Sequence, residues 1–246
     1  MIGVHIFPAT AQSSTMLKPI QVLASSKPAK AAVIFLHGLG DTGNGWSWFP
    51  ELIKQAGIIK ETASINYVFP NAPEIPITVN GGYRMPGWFD IHELGNPDAR
   101  QDVDGFFSSC EYLKKLINEQ INDHNISADK IIIGGFSQGA AVALSTVALL
   151  DIKIGGVVAL SGFCPVRKEL GAKSNKDGIN YQTPIFQGHG TADPVVNFSY
   201  GEQTSQYFKD LGYKNLTFHS YPGIAHTASD EELTEVMKFV NKIIEK

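Results

Sequence analysis

The chain has little of several features that mark particular classes of protein. It contains only two cysteines, Cys110 and Cys164, which are too few for a disulfide framework and are typical of a reducing compartment. No apolar run reaches the roughly 18 residues of a membrane-spanning helix. The first residues lack a basic segment followed by an apolar run, so they do not resemble a secretory signal. These absences predict an intracellular protein.

The charged residues are mixed along the sequence, and the formal net charge is only −4. This pattern offers no basic patch for nucleic acid and no polybasic cluster for anionic lipid. We therefore expect no nucleic-acid partner and only transient contact with a membrane surface. With 43% apolar residues, the 246-residue chain can fill one large core. We expect residues 1–18 to be a loosely ordered extension and residues 19–246 to form one domain.

Short β-branched runs alternate with helix-prone segments along most of the chain. This alternation favours right-handed crossovers and an α/β fold with a mostly parallel central sheet covered by helices on both faces. The predicted strands are 31–36, 65–69, 130–133, 154–160, 184–187 and 216–221. The predicted helices are 46–55, 99–123, a helix opening at 140, 200–211 and 231–244.

The segment Gly135–Gly139 reads G-x-S-x-G, with Ser137 at its centre. A predicted strand precedes it and a helix-prone segment follows it. A serine on the tight turn between such a strand and helix is exposed at the edge of the sheet, and the flanking glycines avoid clashes in that turn. The context therefore predicts Ser137 as a nucleophile.

A serine hydroxyl is a weak nucleophile at neutral pH and needs a base oriented by a third group. His226 follows the last predicted strand and precedes the last helix, and Asp193 follows the strand at 184–187. Carboxyl ends of parallel strands carry the ligand sites of such sheets. The order Ser137, Asp193, His226 is the order of α/β-hydrolases. We predict these three residues as a catalytic triad.

Other candidates for these roles are weaker. His189 is close to Asp193 in sequence but lies on a strand end, so it is interpreted as a packing residue or a neighbour of the triad. Cys164 follows a strand, but the strand–turn–helix context belongs to Ser137, and Cys164 is interpreted as packed. No paired His or Cys spacing indicates a metal site, and we expect neither metal nor cofactor.

A tetrahedral oxyanion requires backbone N–H donors. One is predicted at Gln138, the residue after the nucleophile, and the other in the glycine-rich turn after the first strand, at Leu39. A phosphate cradle is the alternative for that turn. It lacks the Lys-Ser/Thr pair of a P-loop and the spacing of a dinucleotide fingerprint.

Several segments together resemble the acyl-protein thioesterase and lysophospholipase family of α/β-hydrolases, from about residue 29 to 244. The segments that carry the resemblance are Ile34–Gly43, Trp88–Asp90, Gly134–Gly139, Gly188–Pro194 and His226. It implies the same triad and oxyanion donors as those predicted above. Thr191-Ala192 and Ile224 depart from the family pattern beside the site, and residues before 18 lie outside it.

The resemblance implies removal of palmitoyl and similar acyl groups from protein cysteines. The implied substrates are S-palmitoylated proteins, among them G-protein α subunits and Ras-like proteins, in the cytoplasm and also the nucleus. Hydrolysis of lysophospholipids or small esters is the alternative on the same triad. A catalytically silent protein of the same fold, acting as a receptor or scaffold, is a second alternative, against which the complete triad argues.

The segment 70–97 is long, rich in Pro and Gly, and nevertheless apolar. Long ordered loops of this kind are often functional. We expect its apolar side chains to wall an acyl groove beside Ser137, with ordinary packing onto the core as the alternative. The predicted groove residues are Ile75, Ile77, Val79, Met85 and Trp88.

Overall fold

The computed structural model describes residues 17–93 and 99–245. Within them the chain forms nine β-strands and six α-helices. The strands are β1 (Ile20–Val22), β2 (Ala31–Leu36), β3 (Ile65–Phe69), β4 (Glu74–Ile77), β5 (Tyr83–Pro86), β6 (Ile131–Phe136), β7 (Gly156–Leu160), β8 (Ile185–Gly190) and β9 (Leu216–Tyr221). The helices are α1 (Phe49–Ala56), α2 (Val103–Asn122), α3 (Gln138–Leu149), α4 (Arg167–Lys173), α5 (Phe198–Asp210) and α6 (Asp230–Ile244).

Seven strands form one sheet in the order β1-β3-β2-β6-β7-β8-β9. All neighbouring pairs are parallel except β1 and β3. The predicted α/β fold with a mostly parallel sheet is therefore confirmed. Because the parallel strands end at one edge, the segments that follow β2, β6, β7, β8 and β9 meet there.

The residues of β2 alternate between two hydrophobic cores. Ala32, Ile34 and Leu36 belong to a core covered by α2, α3, α4 and α5. Ala31, Val33 and Phe35 belong to a core covered by α1 and α6. Successive side chains of a strand point to opposite faces of the sheet, so helices must cover both faces, as predicted.

Helix α3 is apolar and buried around nearly its whole circumference, as expected for a helix inside a core. Helix α2 begins at Val103 rather than at the predicted residue 99, because the Asp102 side chain accepts a hydrogen bond from the N–H of Gly105 (3.0 Å) and caps the helix. None of the helices formed by the described residues combines the length and hydropathy needed to cross a bilayer.

Four short elements lie where no regular structure was predicted. Strand β1 pairs with β3, strands β4 and β5 form a hairpin separate from the main sheet, and α4 lies in the segment 165–183 predicted as a loop. Residues 1–16 of the predicted extension lie outside the described residues. Lys18 is held, since its carbonyl accepts a hydrogen bond from Asn71 Nδ2 (2.9 Å).

Candidate active site

Ser137 occupies a sharp turn between β6 and α3. Its backbone has φ 53° and ψ −116°, a conformation that residues with a Cβ rarely adopt. The turn packs closely on the end of β2, because a Cβ on Gly139 would lie 2.2 Å from the carbonyl oxygen of Leu36. The N–H of Ser137 donates to the carbonyl of Leu160 (2.9 Å). The G-x-S-x-G segment thus forms the strained turn that its sequence predicts.

His226 and Asp193 form a direct pair. Nδ1 of His226 lies 2.7 Å from Oδ2 of Asp193. Since a carboxylate oxygen only accepts, Nδ1 carries the hydrogen, and Nε2 of a neutral ring is then an unprotonated base. Oδ1 of Asp193 accepts from the N–H groups of Val195 and Val196, each at 2.8 Å. The carboxylate is buried, whereas the His226 side chain is 17% exposed.

Ser137 and His226 line the same cavity. The imidazole of His226 packs on the ring of Phe136, the residue before Ser137, with centroids 4.7 Å apart. The structure therefore pairs His226 with Asp193 and brings His226 to the cavity that Ser137 lines, although the three predicted triad residues follow the ends of three different strands.

Leu39 and Gln138, the predicted sources of oxyanion N–H donors, also line this cavity. Gln138 is the first residue of α3, and the first N–H groups of a helix have no acceptor within the helix. Gly38 brings the other turn close, since a Cβ on it would lie 3.4 Å from Cβ of Ser137. The N–H of Gly40 donates to the carbonyl of Pro86 (2.8 Å) and fixes this turn to β5.

The side chain of Gln138 is buried and bonded at both ends. Its Oε1 accepts from the N–H of Trp88 (3.0 Å), and its Nε2 donates to the carbonyl of Phe89 (2.8 Å). Trp88 in turn donates its indole N–H to the carbonyl of His37 (2.8 Å). The turn that carries Leu39 and the helix that carries Gln138 are therefore linked through Trp88.

His37 holds the same turn from inside the protein. Its Nδ1–H donates to the carbonyl of Gly38 (2.7 Å), and its Nε2 accepts from the N–H of Ala72 (3.0 Å). Burial lowers the pKa of His37, which agrees with a neutral ring that donates on one side and accepts on the other. Nothing in the local sequence distinguished this histidine from a loop residue.

The cavity at Ser137 has a volume of about 310 Å³. Most of its wall is apolar, and three charged residues, Asp41, Glu93 and Arg167, also line it. The apolar lining residues are Leu39, Val79, Phe89, Ile91, Phe136, Phe163, Pro165, Val195 and Val196.

Of the five predicted groove residues, the structure brings only Val79 to this cavity. Trp88 and Ile77 are buried in packing, at 2% and 0% exposure. Ile75 and Met85 face each other as partners in the β4–β5 hairpin. The other four predicted groove residues thus pack in or beside the hairpin and around the turn that carries Leu39, while other segments supply most of the cavity wall.

Several of the wall residues that sequence reasoning missed follow the ends of β7 and β8. Phe163 and Pro165 come after β7, and Val195 and Val196 come after β8. Their positions were a usable signal, because ligands bind outside the carboxyl ends of parallel strands. Their side chains alone gave none, since isolated apolar residues in loops are common.

Cys164 also lines the cavity but is 3% exposed, and burial raises the pKa of its thiol to about 12. A protonated buried thiol is a poor nucleophile, in agreement with its interpretation as a packed residue. Among the described residues, no group of three or more His, Cys, Asp or Glu side chains is arranged to hold a metal ion.

A family model described as phospholipase/carboxylesterase matches residues 18–244. The protein named acyl-protein thioesterase 1 of Debaryomyces hansenii is 64% identical over 233 residues, which are 95% of this chain and 100% of the relative. The protein of the same name from Candida albicans is 63% identical over 92% of this chain and 98% of its own length. The one from Saccharomyces cerevisiae is 45% identical over 91% and 97%.

Two solved structures have the same fold. Arabidopsis thaliana SOBER1 superposes with a TM-score of 0.80 at 28% identity, over 88% of this chain and 100% of that one. Zea mays acyl-protein thioesterase 2 gives a TM-score of 0.78 at 28% identity, over 92% and 99%.

Proposed function

Because this chain belongs to the phospholipase/carboxylesterase family, and within it to the acyl-protein thioesterase 1 group, we propose that it is a serine hydrolase that removes thioester-linked palmitoyl groups from protein cysteines. The observation that carries this proposal is the His226–Asp193 pair, 2.7 Å apart, at the cavity that contains Ser137.

In the proposed reaction, Oγ of Ser137 attacks the thioester carbonyl while Nε2 of His226 takes its proton. The carbon–sulfur bond breaks, the cysteine thiol leaves with a proton from His226, and the acyl group stays on Ser137. A water then attacks this ester with His226 again as base, releasing the fatty acid. Asp193 keeps the proton on Nδ1 and stabilises the imidazolium.

The N–H groups of Leu39 and Gln138 are assigned the role of stabilising the negative charge on the tetrahedral oxygen. Backbone donors fixed before the reaction stabilise such charge without reorganisation, and the loss of one typically costs about 10²–10³ in rate. The bonds that link the two turns through Trp88 support this assignment, because they keep both donors at a constant separation.

The acyl chain is assigned to the apolar part of the cavity. Val79 belongs to this apolar wall, and Phe163, Val195 and Val196 are among the residues that line it in place of the other predicted groove residues. Burial of a methylene contributes about 0.8 kcal/mol, so an apolar wall favours long chains. Palmitoylated G-protein α subunits and Ras-like proteins are the proposed clients, reached in the cytoplasm and nucleus through transient contact with membranes.

Hydrolysis of lysophospholipids or small esters is the second candidate, favoured by the phospholipase/carboxylesterase description of the matching family. The two functions are separated by kcat/KM for palmitoyl thioesters of a cysteine peptide against acetyl esters and lysophosphatidylcholine. We expect the thioester to be preferred by at least about tenfold.

Fluorophosphonate labelling and activity of Ser137→Ala test the nucleophile. We expect both to disappear while the fold is retained, and Ser25→Ala, at an exposed serine outside the cavity wall, to behave as wild type. Full thioesterase activity in the Ser137→Ala protein would contradict the proposal.

A further inference from the structure

His189, on β8, is a buried titratable group without a role in the reaction proposed above. Its side chain has no exposed surface. Its Nε2 lies 2.8 Å from the carbonyl oxygen of Val196. A carbonyl only accepts, so Nε2 carries the ring hydrogen. The same Nε2 lies 3.5 Å from Oδ2 of Asp193, the oxygen that pairs with His226.

The Nδ1 edge of the His189 ring packs against α5. A Cβ on Gly201 would lie 2.5 Å from Nδ1 of His189, so helix and ring touch with no room for a larger residue. Gln187 fixes this approach, because its Nε2 donates to the carbonyl of Gly201 (2.8 Å). Phe198 packs edge-on against the ring, with centroids 5.9 Å apart. The position of the imidazole is therefore set by strand and helix together.

Burial lowers the pKa of His189, which favours a neutral ring. In agreement with this, Nδ1 has no hydrogen-bond partner within the described part of the chain. A second imidazolium close to Oδ2 would compete with His226 for the carboxylate. A neutral ring instead places one N–H near that oxygen without adding a charge.

Val196 connects His189 with the carboxylate a second time. Its N–H donates to Oδ1 of Asp193 and its carbonyl accepts from His189. We propose that His189 is a positioning residue for the triad, which holds the Asp193 carboxylate through Val196 and through its own N–H so that Oδ2 stays directed at His226. This inference rests on the proposed serine hydrolase function.

His189 does not line the cavity at Ser137, so it should affect kcat and leave KM unchanged. Removal of the Nε2–H frees the Val196 carbonyl and lets the carboxylate rotate. The loss of a hydrogen bond to a charged group, or of the donor to a buried acceptor, corresponds to a decrease of about 10- to 100-fold in rate. The Nε2 atom of a glutamine can occupy nearly the same place as Nε2 of histidine, so His189→Gln should recover most of the lost rate.

The experiment compares His189→Leu and His189→Gln with wild type in steady-state ester hydrolysis and in the rate of fluorophosphonate labelling. We expect His189→Leu to lower kcat and the labelling rate about 10- to 100-fold with KM unchanged, and His189→Gln to come within about threefold of wild type. In an Asp193→Asn background, His189→Leu should change the residual rate less than twofold, because residues that act through one group are not additive.

Gly201→Ala perturbs the His189 ring from its Nδ1 side. This variant replaces His189→Leu in the test if His189→Leu does not fold. It should lower kcat in the same way, whereas Glu202→Ala, at the exposed neighbouring position, should not. Normal kcat in folded His189→Leu or in Gly201→Ala would overturn the inference, as would multiplicative effects of His189→Leu and Asp193→Asn. Ser137-dependent labelling of the wild type keeps such a failure distinct from a failure of the proposed function.

Discussion

Gly135 and Gly139 meet across the turn that carries Ser137: a Cβ on Gly135 would lie 2.3 Å from the carbonyl carbon of Gly139. No real Cβ tolerates such a contact, so the backbone would have to open. We predict that Gly135→Ala displaces Ser137 and lowers kcat at least about 100-fold, because a shift of about 1 Å costs that much. Ester hydrolysis by the purified variant measures the loss.

The matched control is Gly171→Ala on α4, where the added Cβ would lie 3.3 Å from the hydroxyl oxygen of Tyr207. It should retain activity within about twofold, since overpacking there does not reach the turn. An active Gly135→Ala enzyme would show that the turn does not need to be closed this tightly.

The indole N–H of Trp88 is predicted to keep the two proposed oxyanion donors, the N–H groups of Leu39 and Gln138, in a fixed position relative to each other. Trp88→Phe retains an aromatic ring but leaves the carbonyl of His37 without its donor. An unsatisfied buried acceptor costs about 1–3 kcal/mol, and a misplaced donor lowers the rate. We expect kcat to fall about tenfold or more with KM little changed.

Trp48→Phe is the comparison for this variant. Trp48 is 44% exposed and donates its indole N–H to the carbonyl of Gly45, so water can replace the lost donor. Its kcat should match wild type. Equal kcat for Trp88→Phe and Trp48→Phe would argue against a link between the two turns.

Variants of Val79 and Ile75 test whether the acyl chain binds in the observed cavity or in the groove predicted from sequence. Val79 lines the cavity at Ser137 and Ile75 does not. Val79→Ser should lower kcat/KM for palmitoyl substrates about tenfold and leave kcat/KM for acetyl substrates unchanged, because the apolar wall is proposed to bind the long acyl chain. Ile75→Ser should leave kcat/KM unchanged for both palmitoyl and acetyl substrates. The chain-length profiles of the two variants give the answer, and a selective loss in Ile75→Ser would restore the groove of segment 70–97.

The buried carboxyl group of Glu232 leads us to predict that the free energy of unfolding falls as the pH rises. Its carboxyl is 1% exposed, and burial, together with the charge of Glu235, raises its pKa from 4.5 to about 7. The folded protein therefore binds more protons than the unfolded chain between these values, so the free energy of unfolding falls across that window, by about 3 kcal/mol in total.

Urea unfolding between pH 4.5 and 8 tests this expectation. Glu232→Gln should flatten the dependence and be more stable than wild type at pH 8, since it buries no charge. The exposed neighbour in Glu231→Gln should leave the slope as in wild type. A wild-type protein whose stability rises steadily to pH 8 would contradict this reading of Glu232.

Strands buried on both faces were predictable from local sequence alone. The runs at 31–36 and 65–69 match two such strands residue for residue, and the run at 216–221 matches the partly exposed edge strand β9, because β-branched and aromatic residues bounded by turn signals have few alternatives. The three-residue strand β1 was not predictable, since pairing with β3 decides its conformation. The β4–β5 hairpin contains Pro76 and Pro86, which disfavour a strand assignment.

The candidate site shows the same division. Ser137, Asp193 and His226 could be predicted because each follows a strand end and carries the side chain that the chemistry needs. The cavity wall could not, because an apolar residue such as Trp88 has the same local signal whether it lines a cavity or packs in the core. Only the folded structure shows that Val195 lines the cavity, whereas Ile77 is buried in packing.

Both thiols are withdrawn from solvent, Cys110 at 0% and Cys164 at 3% exposure, and burial raises both pKa values to about 12. Alkylating reagents should therefore find no target in the folded protein. A cysteine engineered at an exposed position can consequently carry a fluorophore or spin label without background from the native pair, so the transient membrane contact proposed above can be tested on vesicles with both native cysteines in place.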